Sequence, residues 1–341
     1  MTRWDTPASR LGVVLGALLI ALAAFGPWLT RNSPAEQFAE SVYAPPMRPH
    51  FIERAADGTT RLRWPFVYPL RLEDRLEHRY TEDRTRPMPL RLFRDGVLLS
   101  VDPAHGSPWF PLGADALGRD QLARLASGAR LSLGVALGAA LGALVIGAAA
   151  GGLSGFAGGL LDDGVMRVAD VVVALPAVYV VLALRASMPL VLSTTEVFWT
   201  MVVVLAAVGW PFPARGVRAV VAAERVREYA EAARALGASR TRLLLHHLLP
   251  AARGFLAVQT TLLVPAFVLA EATLSFVGLG FSEPTPSWGG MLREAGRGRA
   301  LFEAPWLLAP AVAIVLLALA VNLTAGAHSV PGLTGRSEHS R

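Results

Sequence analysis

A chain of 341 residues in which 53% are hydrophobic and only 17% charged is too apolar for an ordinary soluble domain and belongs in a membrane. All 32 basic residues are arginine, for a formal charge of +6, but they are scattered among hydrophobic runs with no basic tail and no zinc-finger spacing, which argues against a nucleic-acid partner. The absence of lysine excludes a Walker-type phosphate loop, and the absence of cysteine excludes disulfides and thiolate metal sites.

Residues 11–30 form an uncharged run, long enough as a helix to cross a bilayer core of about 30 Å. Arg3 and Arg10 flank its start and place the N-terminus in the cytoplasm. Ala21, Leu22 and Ala23 faintly resemble a signal-peptidase site, but cleavage there leaves part of the apolar run attached, so residues 1–30 read as an uncleaved anchor. Residues 31–112 are a polar, proline-rich excursion with twelve arginines against eleven carboxylates. A long balanced loop is translocated whatever its arginines, so this stretch is expected to be a small extracytoplasmic insertion with strand over residues 60–68. A loosely ordered spacer fits its composition equally well.

Residues 112–133 carry Gly113, Asp115, Gly118, Arg119, Asp120, Arg124, Gly128, Ala129 and Arg130. This set resembles the segment that leads into the core of permease subunits of bacterial ABC importers, in their dipeptide and oligopeptide branch; Ala114 and Ala123 replace hydroxyl residues usual there. Leu117, Leu122, Leu125 and Ala129 give a mostly apolar face suited to lying at the membrane surface. Residues 131–161 hold no charge, and Gly134, Gly138 and Gly142 recur every fourth position, which suits close helix packing and leaves a pore wall open as a second reading. Residues 155–176 resemble the same branch through Asp162, Arg167, Asp170 and Pro176, and the three-residue spacing of Arg167 and Asp170 lets them pair. With further runs at 197–214, 255–270 and 305–325, the apolar segments at 11–30, 131–153 and 168–184 make six expected spans. Five of them form a core over residues 113–325, and an even count returns a tail at 326–341 to the side of the N-terminus.

Residues 215–253 carry eight arginines against three glutamates, the clearest positive-inside signal in the chain. At helical spacing Val226, Tyr229, Ala233 and Leu236 share an apolar face opposite Glu228, Glu231 and Arg234. Gly237 is the natural stop for such a helix, because glycine adopts a left-handed backbone at little cost, and Ser239 is a natural cap for the next. The spacing of Glu231, Ala232 and Ala233 before Gly237, with Leu249 and Pro250 closing the segment, resembles the cytoplasmic EAA-type loop of the same permeases, with His247 where isoleucine is usual. The resemblance implies that Tyr229, Glu231, Ala232, Ala233, Leu236, Gly237, Leu249 and Pro250 couple the chain to an ATPase subunit. An ordinary amphipathic surface helix is the alternative from periodicity alone.

Residues 271–292 match the peptide branch most specifically. Gly278, Gly280, Pro284 and Pro286 break any continuous helix, and irregular backbone at membrane depth is tolerated only where protein or a water-filled cavity satisfies it. Glu271, Ser275, Gly278, Gly280, Pro284, Pro286 and Trp288 are therefore candidates for the pathway or its gate, with a plain outer loop as the alternative, and Glu271 suits either the pathway or the interface. Beyond Asn322 the chain departs from the run of glycine, aspartate, arginine and proline with which the family often ends.

No catalytic pattern stands out: Gly-x-Ser-x-Gly is missing, and the adjacent His246 and His247 diverge on a helix, so no metal or cofactor is expected. The expected fold is an all-α membrane protein with six transmembrane helices of the type I ABC importer kind and an insertion after the first. The resemblance implies a multi-pass permease in the bacterial inner membrane, with both termini cytoplasmic. Its implied partners are a second permease chain, two ATP-binding subunits and an extracytoplasmic substrate-binding protein. The other class to weigh is a stand-alone secondary transporter, which calls for an internal repeat that this sequence lacks.

Overall fold

The computed structural model describes residues 6–54, 60–94, 96–102, 107–175, 179–180, 183, 192–297 and 303–326, and the described residues divide into two compact units. One is drawn from residues 1–17, 133–274 and 314–341, the other from residues 18–132 and 275–313.

The chain begins with α1 (Pro7–Leu29), whose proline stands at the first helical position, where its missing N–H is no loss. Thr6 caps it, its hydroxyl accepting from the Ser9 amide at 3.3 Å. Pro27 removes the N–H that would bond to the Ala23 carbonyl, and Arg130 supplies the substitute: Nε donates to Ala23 O at 2.5 Å and Nη2 to Ala24 O at 2.7 Å.

Among the described residues six strands follow: β1 (His50–Arg54), β2 (Thr60–Val67), β3 (Leu70–Asp74), β4 (Arg79–Glu82), β5 (Met88–Arg94) and β6 (Val97–Val101). They form an antiparallel sheet in the order β1-β2-β5-β6 and a separate β3-β4 hairpin. Ala44, Met47, Val67, Met88, Leu90, Val101, Trp109 and Phe110 build a core beneath them. The all-α expectation is therefore corrected for residues 50–101, where apolar residues alternate with arginine, as in Leu70-Arg71-Leu72, at the two-residue period of a half-buried strand. The packed core orders the described residues of this stretch.

In the segment at 112–133, the residues from Gln121 onward are the start of α2 (Gln121–Ala157), a single 37-residue helix. No proline interrupts it, and Leu125, Ala126 and Ala129 are buried. Asp120 caps its start, accepting from the Leu122 amide at 2.9 Å, from the Thr30 hydroxyl at 2.8 Å and from Asn32 Nδ2 at 2.9 Å.

Then come α3 (Gly159–Ala174), α4 (Thr194–Gly209), α5 (Pro211–Glu224), α6 (Glu228–Ala235), α7 (Arg253–Val277), α8 (Trp288–Ala295) and α9 (Ala309–Gly326). Ser193 and Glu196 close a capping box at the start of α4. Between α4 and α5 the axis bends by 45° at Trp210–Pro211. The glycine stripe of α2 serves packing: Gly134, Gly138 and Gly142 face Phe198, Val202 and Ala206 of α4, and Gly155 approaches α5 so closely that a Cβ there would stand 2.5 Å from the Arg218 carbonyl oxygen. Asp170 pairs with Arg215 of α5 at 2.6 Å instead of with Arg167, and Asp162 takes a two-pronged contact from Arg218 at 2.5 Å. Sequence proximity suggests an i,i+3 pair, but the neighbouring helix brings a guanidinium closer.

Among the described residues four helical stretches are long and apolar enough to cross a bilayer: Pro7–Leu29, Gln121–Ala157, Arg240–Val277 and Pro305–Thr324. The bent pair α4–α5 makes a fifth if its arms form one span. Much of the span expected at 168–184, with Pro176, lies outside the described residues. The chain is a multi-pass membrane protein, mostly helical.

Candidate functional site

Two groups of residues were singled out by sequence, and the structure assembles each differently. The first is the arginine-rich segment after α5. Helix α6 ends in a Schellman motif: the Ala238 amide donates to Ala233 O at 3.0 Å and the Gly237 amide to Arg234 O at 2.9 Å. Gly237 has φ +85°, the left-handed value this motif requires. Ser239 then caps the next helical turn, accepting from the Arg242 amide at 3.3 Å. From Arg240 the chain runs through a π-helical turn (Leu243–Leu248) and a 3-10 turn (Leu249–Ala252) into α7.

The apolar face expected on α6 splits in two. Ala230, with Ala233, packs inward on Val217, Val221, Leu243 and Leu248. Tyr229 is 41% exposed and Leu236 89% exposed, with Val226 also exposed before the helix begins. The Tyr229 hydroxyl donates to Glu224 Oε2 at 2.9 Å, which fixes the ring's direction. Burial and that acidic neighbour push its phenol upward. Glu231 and Ala232 are exposed, while Leu249 and Pro250 are half-buried where the segment joins α7. His246 and His247 are exposed, the second at the position where isoleucine is usual. The short helix is thus packed on one side and presents Tyr229 and Leu236 on the other.

The second group lies around the loop after α7. Glu271 is buried within that helix. Ser275 is buried at its end, and Gly280 turns back against it so closely that no side chain fits between them. Gly278 adopts φ +94°, and Arg293 Nη1 lies 2.5 Å from where its Cβ would be. Pro284 is exposed and Pro286 buried. Ser287 caps α8, accepting from the Gly290 amide at 3.1 Å. Trp288 is buried against α2: its indole N–H donates to Leu125 O and its amide to Ser132 Oγ, both at 3.1 Å, and Gly128 leaves room for its ring.

Beside that tryptophan sits an ion cluster that sequence reasoning did not assemble. Arg119 donates from Nε to Asp115 Oδ2 at 2.7 Å and from Nη2 to Glu294 Oε2 at 3.0 Å, and Nη1 bonds Glu283. Arg124 donates from Nη2 to Glu294 Oε1 at 2.8 Å and lies with Nε 3.2 Å from Asp115 Oδ2. Arg119 and Arg124 are only 3% and 1% exposed at their side chains. Asp115 is held in a tight turn, accepting from the amides of Leu117 and Arg119 at 2.8 and 2.9 Å. Burial, and next the hydrogen bond to Glu283, push the Glu294 carboxyl up to about 8. Burial also opposes ionisation of Glu283, but bonds from Glu294 and Arg119 outweigh it and hold this carboxyl down at about 2. The pair thus shares one proton at neutral pH, which leaves two guanidinium charges facing two carboxylates. Asp115, Arg119 and Arg124 were visible as part of a motif; Glu283 carried no signal except its place in the neighbouring motif, and Glu294, just beyond that motif, carried none.

Residues 143–328 match the family model described as the binding-protein-dependent transport system inner membrane component. The chain is 39% identical over 215 residues to a peptide permease protein of Brucella ovis, covering 63% of this chain and 68% of that one. It is 38% identical over 212 residues to the oligopeptide transport system permease protein OppC of Bacillus subtilis, covering 62% and 66%. Among solved structures it resembles the MetNI methionine ABC transporter in inward-facing conformations, with a TM-score of 0.46 and 20% identity over 60% of this chain and 96% of that one.

Proposed function

The chain belongs to the binding-protein-dependent transport system inner membrane component family, as a permease subunit of an ATP-driven importer, and from that premise we propose that it carries peptides or similar small solutes. The family implies ATPase and substrate-binding partners. The observation that carries the coupling assignment is α6, anchored inward through Ala230 and closed by the left-handed Gly237, with Tyr229 and Leu236 left exposed. In this reading an ATPase subunit grips that outer face, and Tyr229, Glu231, Ala232, Ala233, Leu236, Gly237, Leu249 and Pro250 pass its closure to α5 and α7.

The finer proposal is a six-span subunit in the bacterial inner membrane, paired with a second permease chain above two ATP-binding subunits. Both termini and residues 215–253 lie in the cytoplasm, and residues 31–112 lie outside, where a substrate-binding protein delivers solute. Glu271, Ser275, Gly278, Gly280, Pro284, Pro286 and Trp288 belong to the gate of the pathway.

Docking through α6 is tested by recovering the cognate ATPase subunits on wild-type and Tyr229→Ala permease in one detergent. Burying a side chain of this size is worth roughly 1.5–3 kcal/mol, so affinity should fall by about tenfold or more. Equal recovery by both proteins counts against docking through this face. Uptake by the chain alone, driven by an ion gradient, supports a secondary transporter instead.

A further inference from the structure

A cavity of about 180 Å³ opens beside the ion cluster, lined among others by Arg124, Ser282, Glu283, Arg293, Glu294 and Arg297. Arg124 forms its buried end, while Arg293 and Arg297 are exposed. The guanidinium of Arg124 is not used up by the cluster: Nη1 is buried and has no hydrogen-bond partner among the described residues. An orphaned cationic donor at that depth is costly unless something completes it. Gly278 contributes by having no side chain where Arg293 passes.

We propose that this cavity is a carboxylate-binding site, which takes the free carboxylate of a small solute such as a peptide. The charges favour one negative group: Arg119 and Arg124 are balanced by Asp115 and the carboxyl pair, so Arg293 and Arg297 leave the cavity net positive. A planar carboxylate matches the fork of Arg124 and reaches its spare N–H, with the second oxygen directed toward the outer arginines. Glu283 and Glu294 line the same space and disfavour a dianion such as phosphate. The solute as the source of the carboxylate rests on the importer reading; the anion chemistry does not.

The test is saturation-transfer NMR on the full purified chain with dialanine and dialanine amide, and with inorganic phosphate as a competitor of dialanine, so that its outcome is independent of ATPase docking. Dialanine should bind, and the amide should bind about tenfold more weakly or worse, the loss expected for a charge-assisted hydrogen bond. Arg124→Gln should abolish the difference between acid and amide. Because that change also touches the cluster, Arg293→Gln combined with Arg297→Gln, both at exposed positions, should weaken dialanine severalfold in a protein with an unchanged melting profile. Equal binding of acid and amide, no binding of dialanine, or indifference to the outer pair overturns the site. Phosphate binding as tightly as dialanine overturns the solute carboxylate in favour of a general anion site.

Discussion

Replacing Arg119 by methionine is the sharpest test of the ion cluster, because one substitution takes one of the two cations from three carboxyl groups. The side chain is almost wholly buried and bonds Asp115, Glu283 and Glu294, so its loss leaves Arg124 alone against all three. Breaking a buried charged network from one side costs about 3–5 kcal/mol, since the orphaned partners keep their desolvation penalty. The cost should depend on pH in a defined direction. Glu294 already sits raised, from the ordinary 4.5 to about 8, so its contribution to stability is fully present below pH 4.5 and is lost as pH rises through 8. Glu283 runs the other way: its contribution is present above pH 4.5 and is lost as pH falls through about 2. Without Arg119 the folded-state values of Glu283 and Glu294 rise, so the Arg119→Met protein should lose most at pH 8 and recover partly at pH 5.5. Glu294→Gln, which mimics the protonated acid, should flatten the wild-type decline between pH 5.5 and 8. Denaturant titration of the full chain in mixed micelles, followed by circular dichroism at both pH values, reads these differences. A loss below about 1 kcal/mol that is the same at both pH values would refute the buried network.

Gly237→Val should lower uptake and substrate-stimulated ATPase activity while membrane insertion persists. Space around the site is open, so the penalty is backbone strain alone, about 1–2 kcal/mol; Gly237→Asn, which tolerates the left-handed region, should retain most activity, and equal losses for both would contradict this cause. Gly155→Leu must push α2 and α5 apart by about 0.8 Å to restore an ordinary carbon–oxygen contact, and overpacking of this kind costs about 1–3 kcal/mol. Gly164→Leu, with nothing near its Cβ, is the matched control, and indistinguishable melting of the two would disprove the close approach. Cysteine at the exposed Leu76 should react with an impermeant label from outside the cell, and cysteine at the exposed Ser239 only after permeabilisation; the native chain has no cysteine to confuse the reading, and the reverse pattern would invert the topology.

The sequence by itself determined what depends on local chemistry. Runs of apolar residues announce membrane helices whatever their neighbours, since lipid rewards them one segment at a time. The left-handed turn at Gly237 and the cap at Ser239 were legible for the same reason: both arise from the sterics and hydrogen bonding of a few consecutive residues. Strand over residues 60–68 was visible, but a six-stranded β region was not, because strand pairing joins segments whose register no single stretch encodes. Only the tertiary structure decided which side of α6 is free. Periodicity put Tyr229, Ala233 and Leu236 together, whereas packing on Val217, Val221 and Leu248 took the small alanines and left the large residues outside. It also decided the partners of the charges. Arg119 meets Glu283 and Glu294 across separations of 164 and 175 residues, and Asp170 meets Arg215 in preference to its near neighbour Arg167. A buried ion must find its complement somewhere, but which one it finds depends on how the backbone brings distant segments together, and that is a property of the packed chain.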